Sequence, residues 1–288
     1  MKVKRMFGSE RIPAGCILGA MRESVVDPGG VATRLRERGL QDSLISQSLS
    51  VLPRKAIGIL LYGSQARGDA SSGSDVDILV LANGPAASRT GGSTNVTTYG
   101  EPQLASSNGT LFGMHLARDG VILHDTEDSL SNLLQSFGPA DQTRIFERVK
   151  RLAVALKSTS ADRVKYLDGL VRLARYLLRT ATYAAALNPG PPCFSLSELA
   201  ERFGIPELPV ILSSHQVVHG ESAMSVLEDL EYRIAQIVGP IAVNPYGSIQ
   251  ALIVAEWEGD RDLANSTLLV LGSPDGALPY AEIPRVIL

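Results

Sequence analysis

The spacing of apolar positions divides the chain into a strand-forming first half and a helical second half. After the Gly29-Gly30 breaker, Val31 to Arg38 and Leu44 to Leu52 carry helical spacing and predict one or two short helices before Pro53. Ala56 to Tyr62 is a short apolar run stopped by Gly63. Val76 to Leu81 is a second, entered through Gly73-Ser74-Asp75, and both lengths suit buried strands. Between them the small residues predict a loop and then a helical turn. Asn83 to Ser93 reads as a surface loop by composition, and Asn95 to Tyr99, with two Thr and one Val, as a third strand. Leu111 to His115 and Val121 to His124 flank Arg118-Asp119-Gly120, where Asp-Gly predicts a tight turn; the first arm is readable as helix or as strand.

From Asp128 onward the period becomes helical, over Ile145 to Leu156, Asp162 to Leu187, Leu196 to Phe203 and Ser222 to Val238. Ser195 with Glu198 forms a capping-box pattern ahead of the third of these runs. Asn188-Pro189-Gly190-Pro191-Pro192 must be a connection, because its prolines lack backbone donors. Leu252 to Trp257 and Leu268 to Leu271 predict either a hairpin or a helix followed by a strand. There is no internal repeat. The fold class expected is α+β, a small mixed sheet flanked by helices and followed by an α-helical bundle.

Composition narrows the function classes. The chain has 288 residues, 44% hydrophobic and 20% charged, which excludes disorder. Lys and Arg number 27 against 30 Asp and Glu, a net charge of −3, so no whole-chain attraction to polyanions follows. Cys16 and Cys193 stand in no metal-ligand spacing, and two distant cysteines make reduced cytoplasm the expected location. The first residues carry the charge of an export signal, but Glu10, Arg11, Arg22 and Glu23 interrupt any apolar segment. No uninterrupted apolar run approaches the ~18 residues of a membrane span, so no membrane partner is expected.

The stretch that carries chemistry is Gly63-Ser64-Gln65-Ala66-Arg67-Gly68, followed after five residues by Ser74-Asp75-Val76-Asp77-Ile78-Leu79. Strand side chains alternate, so Asp75 and Asp77 project from one face. Two carboxylates held that close repel, and a divalent cation relieves them; hard oxygen donors suit Mg²⁺, which keeps waters and shares substrate phosphates. Gly63 and Gly68 let backbone N–H groups approach an anion, Ser64 offers a hydroxyl, and Arg67 offers a forked charged donor. A phosphate cradle beside a metal pair predicts a nucleotide site with metal-assisted phosphoryl chemistry.

These residues resemble the motif of the polymerase-beta-like nucleotidyltransferase superfamily: Gly-Ser, then Arg-Gly, then Ser-Asp-x-Asp and an apolar run. The resemblance is specific over residues 56–81, extends to about 125, and beyond that is architectural, since members commonly append a helical bundle. It implies that Gly63, Ser64, Arg67 and Ser74 bind the nucleotide and that Asp75 and Asp77 bind Mg²⁺ and are catalytic. It implies a nucleotidyltransferase domain with N-terminal helices at 1–127, a helical bundle domain at 128–245 and a C-terminal segment at 246–288. The implied reaction moves a nucleoside monophosphate from a nucleoside triphosphate to a hydroxyl, releasing pyrophosphate. The superfamily usually adds a third carboxylate on a following strand, whereas Asn95 to Tyr99 contains no acid; Glu101, Asp119 and Asp125 are the nearby substitutes.

Three functions follow. The first is transfer to a macromolecular acceptor, tRNA or protein, in the manner of toxin-like or defence-associated members, with room for a partner protein. The second is adenylylation of a small molecule of the aminoglycoside type. The third is a catalytically weak nucleotide-binding regulator or antitoxin, which the missing acid favours. Arg144, Arg148, Lys150, Arg151, Lys157, Arg163, Lys165, Arg172, Arg175 and Arg179 make a locally basic helical run. Within it Arg172, Arg175 and Arg179 form one stripe, readable as a solvated face or as a grip on phosphates, with Tyr166, Tyr176 and Tyr183 as stacking or core residues. His215-Gln216-Val217-Val218-His219 copies a zinc-protease spacing but has Gln216 in place of the base, and Trp257 reads as core before partner surface.

Overall fold

The computed structural model describes residues 21–272 apart from 72, 86, 189, 191 and 213–220. The expectations placed on the first residues, Cys16, Pro189, Pro191, the His215 to His219 spacing and residues 273–288 lie outside the described residues. The first half contains β1 (Ser24–Val25), α1 (Pro28–Glu37), α2 (Asp42–Val51), β2 (Lys55–Ala56), β3 (Gly58–Tyr62), α3 (Gly63–Arg67) and β4 (Val76–Leu81). It continues through β5 (Ala87–Gly91), β6 (Thr94–Tyr99), α4 (Glu101–Ala105), α5 (Leu111–Asp119), β7 (Val121–Asp125) and α6 (Ser129–Gln135). The helical half runs through α7 (Gln142–Leu152), a 3-10 turn at Ala153–Lys157, α8 (Ser160–Lys165), α9 (Leu167–Ala185), α10 (Leu196–Phe203), α11 (Leu208–Ile211), α12 (Glu221–Val238), α13 (Ile249–Glu256) and α14 (Arg261–Leu271).

A five-stranded mixed sheet has the order β5-β6-β4-β3-β7, with β4 and β6 parallel and the other neighbours antiparallel. Period-two alternation along β3 and β4 sends Ile59, Leu61, Ile78 and Val80 to one face, against Val31, Leu35 and Ile45 of α1 and α2. Leu60, Leu79 and Leu81 go to the other face, against Leu104, Leu116, Leu130 and Leu134 of α4, α5 and α6. Asp77 therefore shares the α4–α6 face with Leu79 and Leu81. The fold is α+β, as the pattern predicts.

Four elements differ from expectation. The surface loop Asn83 to Ser93 contains β5, an exposed edge strand joined to β6 through Gly92 and Ser93; it buries no face, so it has no apolar alternation to read. Asp119-Gly120 closes α5 rather than a hairpin, which settles the first arm as helix. Its Gly120 N–H returns to the Leu116 carbonyl. The run from Asp162 to Leu187 breaks at Tyr166 into α8 and α9. Finally, Leu252 to Trp257 and Leu268 to Leu271 fall in two helices, α13 and α14, neither hairpin nor strand.

Those two helices join the core of the bundle. Ile249, Leu252, Leu263 and Val270 pack with Val149, Leu170, Leu177, Leu227 and Ile234 in one apolar cluster. At Gly169 a Cβ would strike the Val270 carbonyl, so only glycine lets α14 lie this close to α9. Asp162 accepts the Ile249 N–H at 2.7 Å and fixes the start of α13. Ser195 caps α10 by accepting the Glu198 N–H.

The basic run is largely engaged inside the bundle. Arg148 forms a two-pronged pair with Asp262 at 2.8 and 2.9 Å, and Arg151 pairs with Asp260 and Asp262. Lys157 and Arg163 both pair with Glu231, whose side chain is 4% exposed. Arg175 is 7% exposed, and Arg179 donates to the Leu212 carbonyl, so the stripe is not a solvated face. Tyr166, Tyr176 and Tyr183 pack against the apolar cluster, and Trp257 is exposed rather than core.

Candidate functional site

The end of β3 leads directly into the site. Gly63 follows Tyr62 with φ +78°, and a Cβ there would lie 2.9 Å from Asp77 Oδ2, so the chain turns into α3 right against that carboxylate. The five-residue α3 ends at Gly68, φ +81°, where the N–H groups of Gly68 and Asp69 both donate to the Ser64 carbonyl. Asp75 is exposed just before β4, and Asp77 is partly buried as its second residue. Across the parallel ladder Asp77 is paired in register with Asn95. The Asn95 Nδ2 lies 3.4 Å from Asp75 Oδ2 and 3.5 Å from Asp77 Oδ1, a neutral amide between two acids.

Burial pushes the Asp77 carboxyl from 3.8 up to about 6; the Asn95 amide opposes the shift, Asp75 adds to it, and the Arg67 charge lowers it. A carboxylate disfavoured in this way is relieved by a cation as well as by a proton. Two oxygen-donor acids on one face, with the Cβ-free backbone of Gly63 beside them, fit a small divalent ion that completes its shell from water and phosphate. Among the described residues no cluster of three or more His, Cys, Asp or Glu side chains is arranged to hold a metal, so the protein's own acids at this site number two.

The three substitute acids do not complete the pair. Glu101 opens α4 beyond Tyr99, which pairs with Leu81 at the far end of β4 from Asp77. Asp125 pairs with Gly58, also at the far end, and its oxygens accept from the N–H groups of Leu130 and Ser131 and the Ser131 hydroxyl. Asp119 sits at the end of α5, 3.4 Å from Arg118 and 3.7 Å from His115. The place opposite Asp77 belongs to Asn95, which the sequence places in the right strand without revealing its register.

The remaining predicted nucleotide residues divide. Ser64 is half-buried in α3 beside Gly63. Arg67 is held by Asp69, Nε to Oδ2 at 3.3 Å and Nη2 to Oδ1 at 3.1 Å, and its Nη1 lies 3.0 Å from His115 Nε2. The Ser74 hydroxyl accepts the Ser71 N–H at 2.9 Å and bonds the Ser71 hydroxyl, which gives it a local role in shaping the turn into β4. Asp69 and His115 carry no motif signal; His115 reaches Arg67 across 48 positions only through the packing of α5 on α3.

Residues 45–126 match the family model described as a nucleotidyltransferase domain. Among solved structures, the crystal structure of a nucleotidyltransferase-like protein from Exiguobacterium sibiricum 255-15 is 16% identical. The alignment covers 78% of this chain and 81% of that one, with a TM-score of 0.28. No curated protein matches. The matched segment spans the sheet, the Gly63 turn and both aspartates, and supports nucleoside monophosphate transfer in general. Residues 45–126 are a nucleotidyltransferase domain of the polymerase-beta-like kind.

Proposed function

We propose that the chain binds a nucleoside triphosphate with Mg²⁺ and transfers the nucleoside monophosphate to an acceptor hydroxyl. The observation that carries this reading is the placement of Asp77 against the Gly63 turn, with Asp75 joined to it through the Asn95 amide, so that a largely buried acid with raised proton affinity faces backbone that has no side chain. Asp75 and Asp77 would hold the ion, which when bound supplies charge neutralisation at the phosphates. Gly63 and Ser64 would seat the triphosphate, and Arg67 would add a charged donor. Leu130 and Leu134 of α6 pack with Leu104 and Leu116, so the apolar cores support a division of the chain after α6 rather than after residue 127.

The macromolecular acceptor, tRNA or protein, and the toxin-like role rest on the sequence resemblance; in the basic run that favoured them, Arg148, Arg151, Lys157 and Arg163 are engaged in ion pairs within the bundle. Asn95 favours a second reading, a nucleotide-binding regulator with weak turnover, because an amide opposite Asp77 cannot serve as the third acid. Incubating the protein with each labelled triphosphate and with total RNA, total protein or an aminoglycoside separates these readings. Label on one acceptor, lost in the Asp75→Ala, Asp77→Ala double variant, supports transfer. Triphosphate binding without label on any acceptor supports the regulator. Absence of metal-dependent triphosphate binding overturns both.

A further inference from the structure

The Arg67 side chain is fixed from two sides, and the second side comes from outside the motif. Asp69 engages Nε and Nη2, and His115 Nε2 lies 3.0 Å from Nη1. An arginine N–H points at that nitrogen, so Nε2 carries the lone pair and the ring proton is on Nδ1. Asp119 pulls the other way, but from farther off. Its Oδ2 is 3.7 Å from the same Nε2, on a side chain 8% exposed, and has no hydrogen-bond partner. A proton on Nε2 would have favoured Asp119 and opposed Arg67.

The His115 ring is also clamped by neighbours. It stacks on Phe194 with centroids 4.9 Å apart and planes 16° apart, and meets the edge of Tyr62 at 6.2 Å. Burial drives its pKa down to about 3, the Arg67 charge adds to this, Asp69 opposes it and Arg118 contributes further lowering. The imidazole is thus a neutral acceptor throughout the physiological range. Of the five guanidinium N–H bonds of Arg67, one on Nε and one on Nη2 face Asp69 and one on Nη1 faces His115, leaving one on each Nη nitrogen.

We propose that His115 is a positioning residue for triphosphate binding: accepting from Arg67 Nη1 and stacked on Phe194, it aims the two remaining guanidinium N–H bonds at phosphates seated beside Asp77. This rests on the nucleotide reading of the Gly63 turn. It also ties the phosphate grip to the segment leading into α10, since Phe194 comes from the helical half.

Magnesium tripolyphosphate, which carries the phosphate chemistry without a base, is the probe, with affinity read by calorimetry. His115→Phe keeps the ring and loses the acceptor, and should weaken binding about tenfold with little change in melting temperature. His115→Gln supplies an acceptor oxygen without the ring, and should stay within about threefold of wild type. Arg67→Met should weaken binding as much as His115→Phe, and the double variant no further. Wild-type affinity in His115→Phe, equal losses in the Phe and Gln variants, or additive losses in the double variant overturn the positioning role while leaving the nucleotide site standing. A wild type that binds no tripolyphosphate overturns the nucleotide reading and this role together. Nitrogen NMR should show His115 neutral with its proton on Nδ1 near pH 5, where an ordinary histidine is charged; a protonated His115 there overturns the proposal as well.

Discussion

Asp77→Asn removes a charge that the fold holds at a cost. The wild-type carboxyl has its pKa raised from 3.8 to about 6 by burial, so the folded state binds this proton more tightly than the unfolded chain does. Its contribution to stability is fully present below about pH 4, declines as pH rises, and is gone above about 6, where ionised Asp77 costs about 3 kcal/mol. Asparagine is isosteric and neutral, so in metal-free buffer near pH 7.5 the variant should be the more stable protein by up to about 3 kcal/mol. For a chain of this size that is a rise in melting temperature of roughly 6–12 °C. Calorimetric melts in EDTA from about pH 4 to 8 should show the two proteins converging at the acid end, and Mg²⁺ should narrow the gap at neutral pH by stabilising only the wild type. An Asp77→Asn protein no more stable at pH 7.5, or equally favoured at pH 4, would refute the account of a buried, cation-seeking acid.

Two further perturbations test the same corner. Asn95→Asp places a third carboxylate in register with Asp77, so divalent-cation affinity by calorimetry should rise about tenfold or more while the metal-free protein melts lower. Gly63→Ala must adopt φ +78° with its Cβ 2.9 Å from Asp77 Oδ2, so a loss of about 1–3 kcal/mol in denaturant unfolding should accompany loss of triphosphate binding.

The parts of this molecule that were readable before folding are those where one segment carries its own signal. β4 announces itself as an apolar run from Val76 to Leu81 entered through Asp75 and Asp77, two acids of equal parity, and α10 begins where Ser195 and Glu198 place it. β5 gives no such signal, because an exposed edge strand is held by backbone pairing to β6 and not by buried side chains. Helices α13 and α14 are obscured because Leu252 to Trp257 is apolar on nearly all sides in sequence, and its helical register shows only against α14. In the site, Asp75, Asp77, Gly63 and Arg67 stand in one motif and were legible. Asn95, Asp69 and His115 act through register and packing, which spacing does not encode. The basic run shows the converse: its charges recur along the helices, yet the partners of Arg148, Arg151, Lys157 and Arg163, namely Asp260, Asp262 and Glu231, come from about 70 to 110 positions downstream.

The pairing of Arg148 and Arg151 with Asp260 and Asp262 gives the helical half a neutralised seam where the sequence alone suggests a cationic face. A polyanion drifting past that seam would feel little pull, and its capture there would hardly slow as ionic strength rises. The charges act instead as mortar between α7 and the start of α14, so α14 is a structural keystone rather than a dispensable appendage.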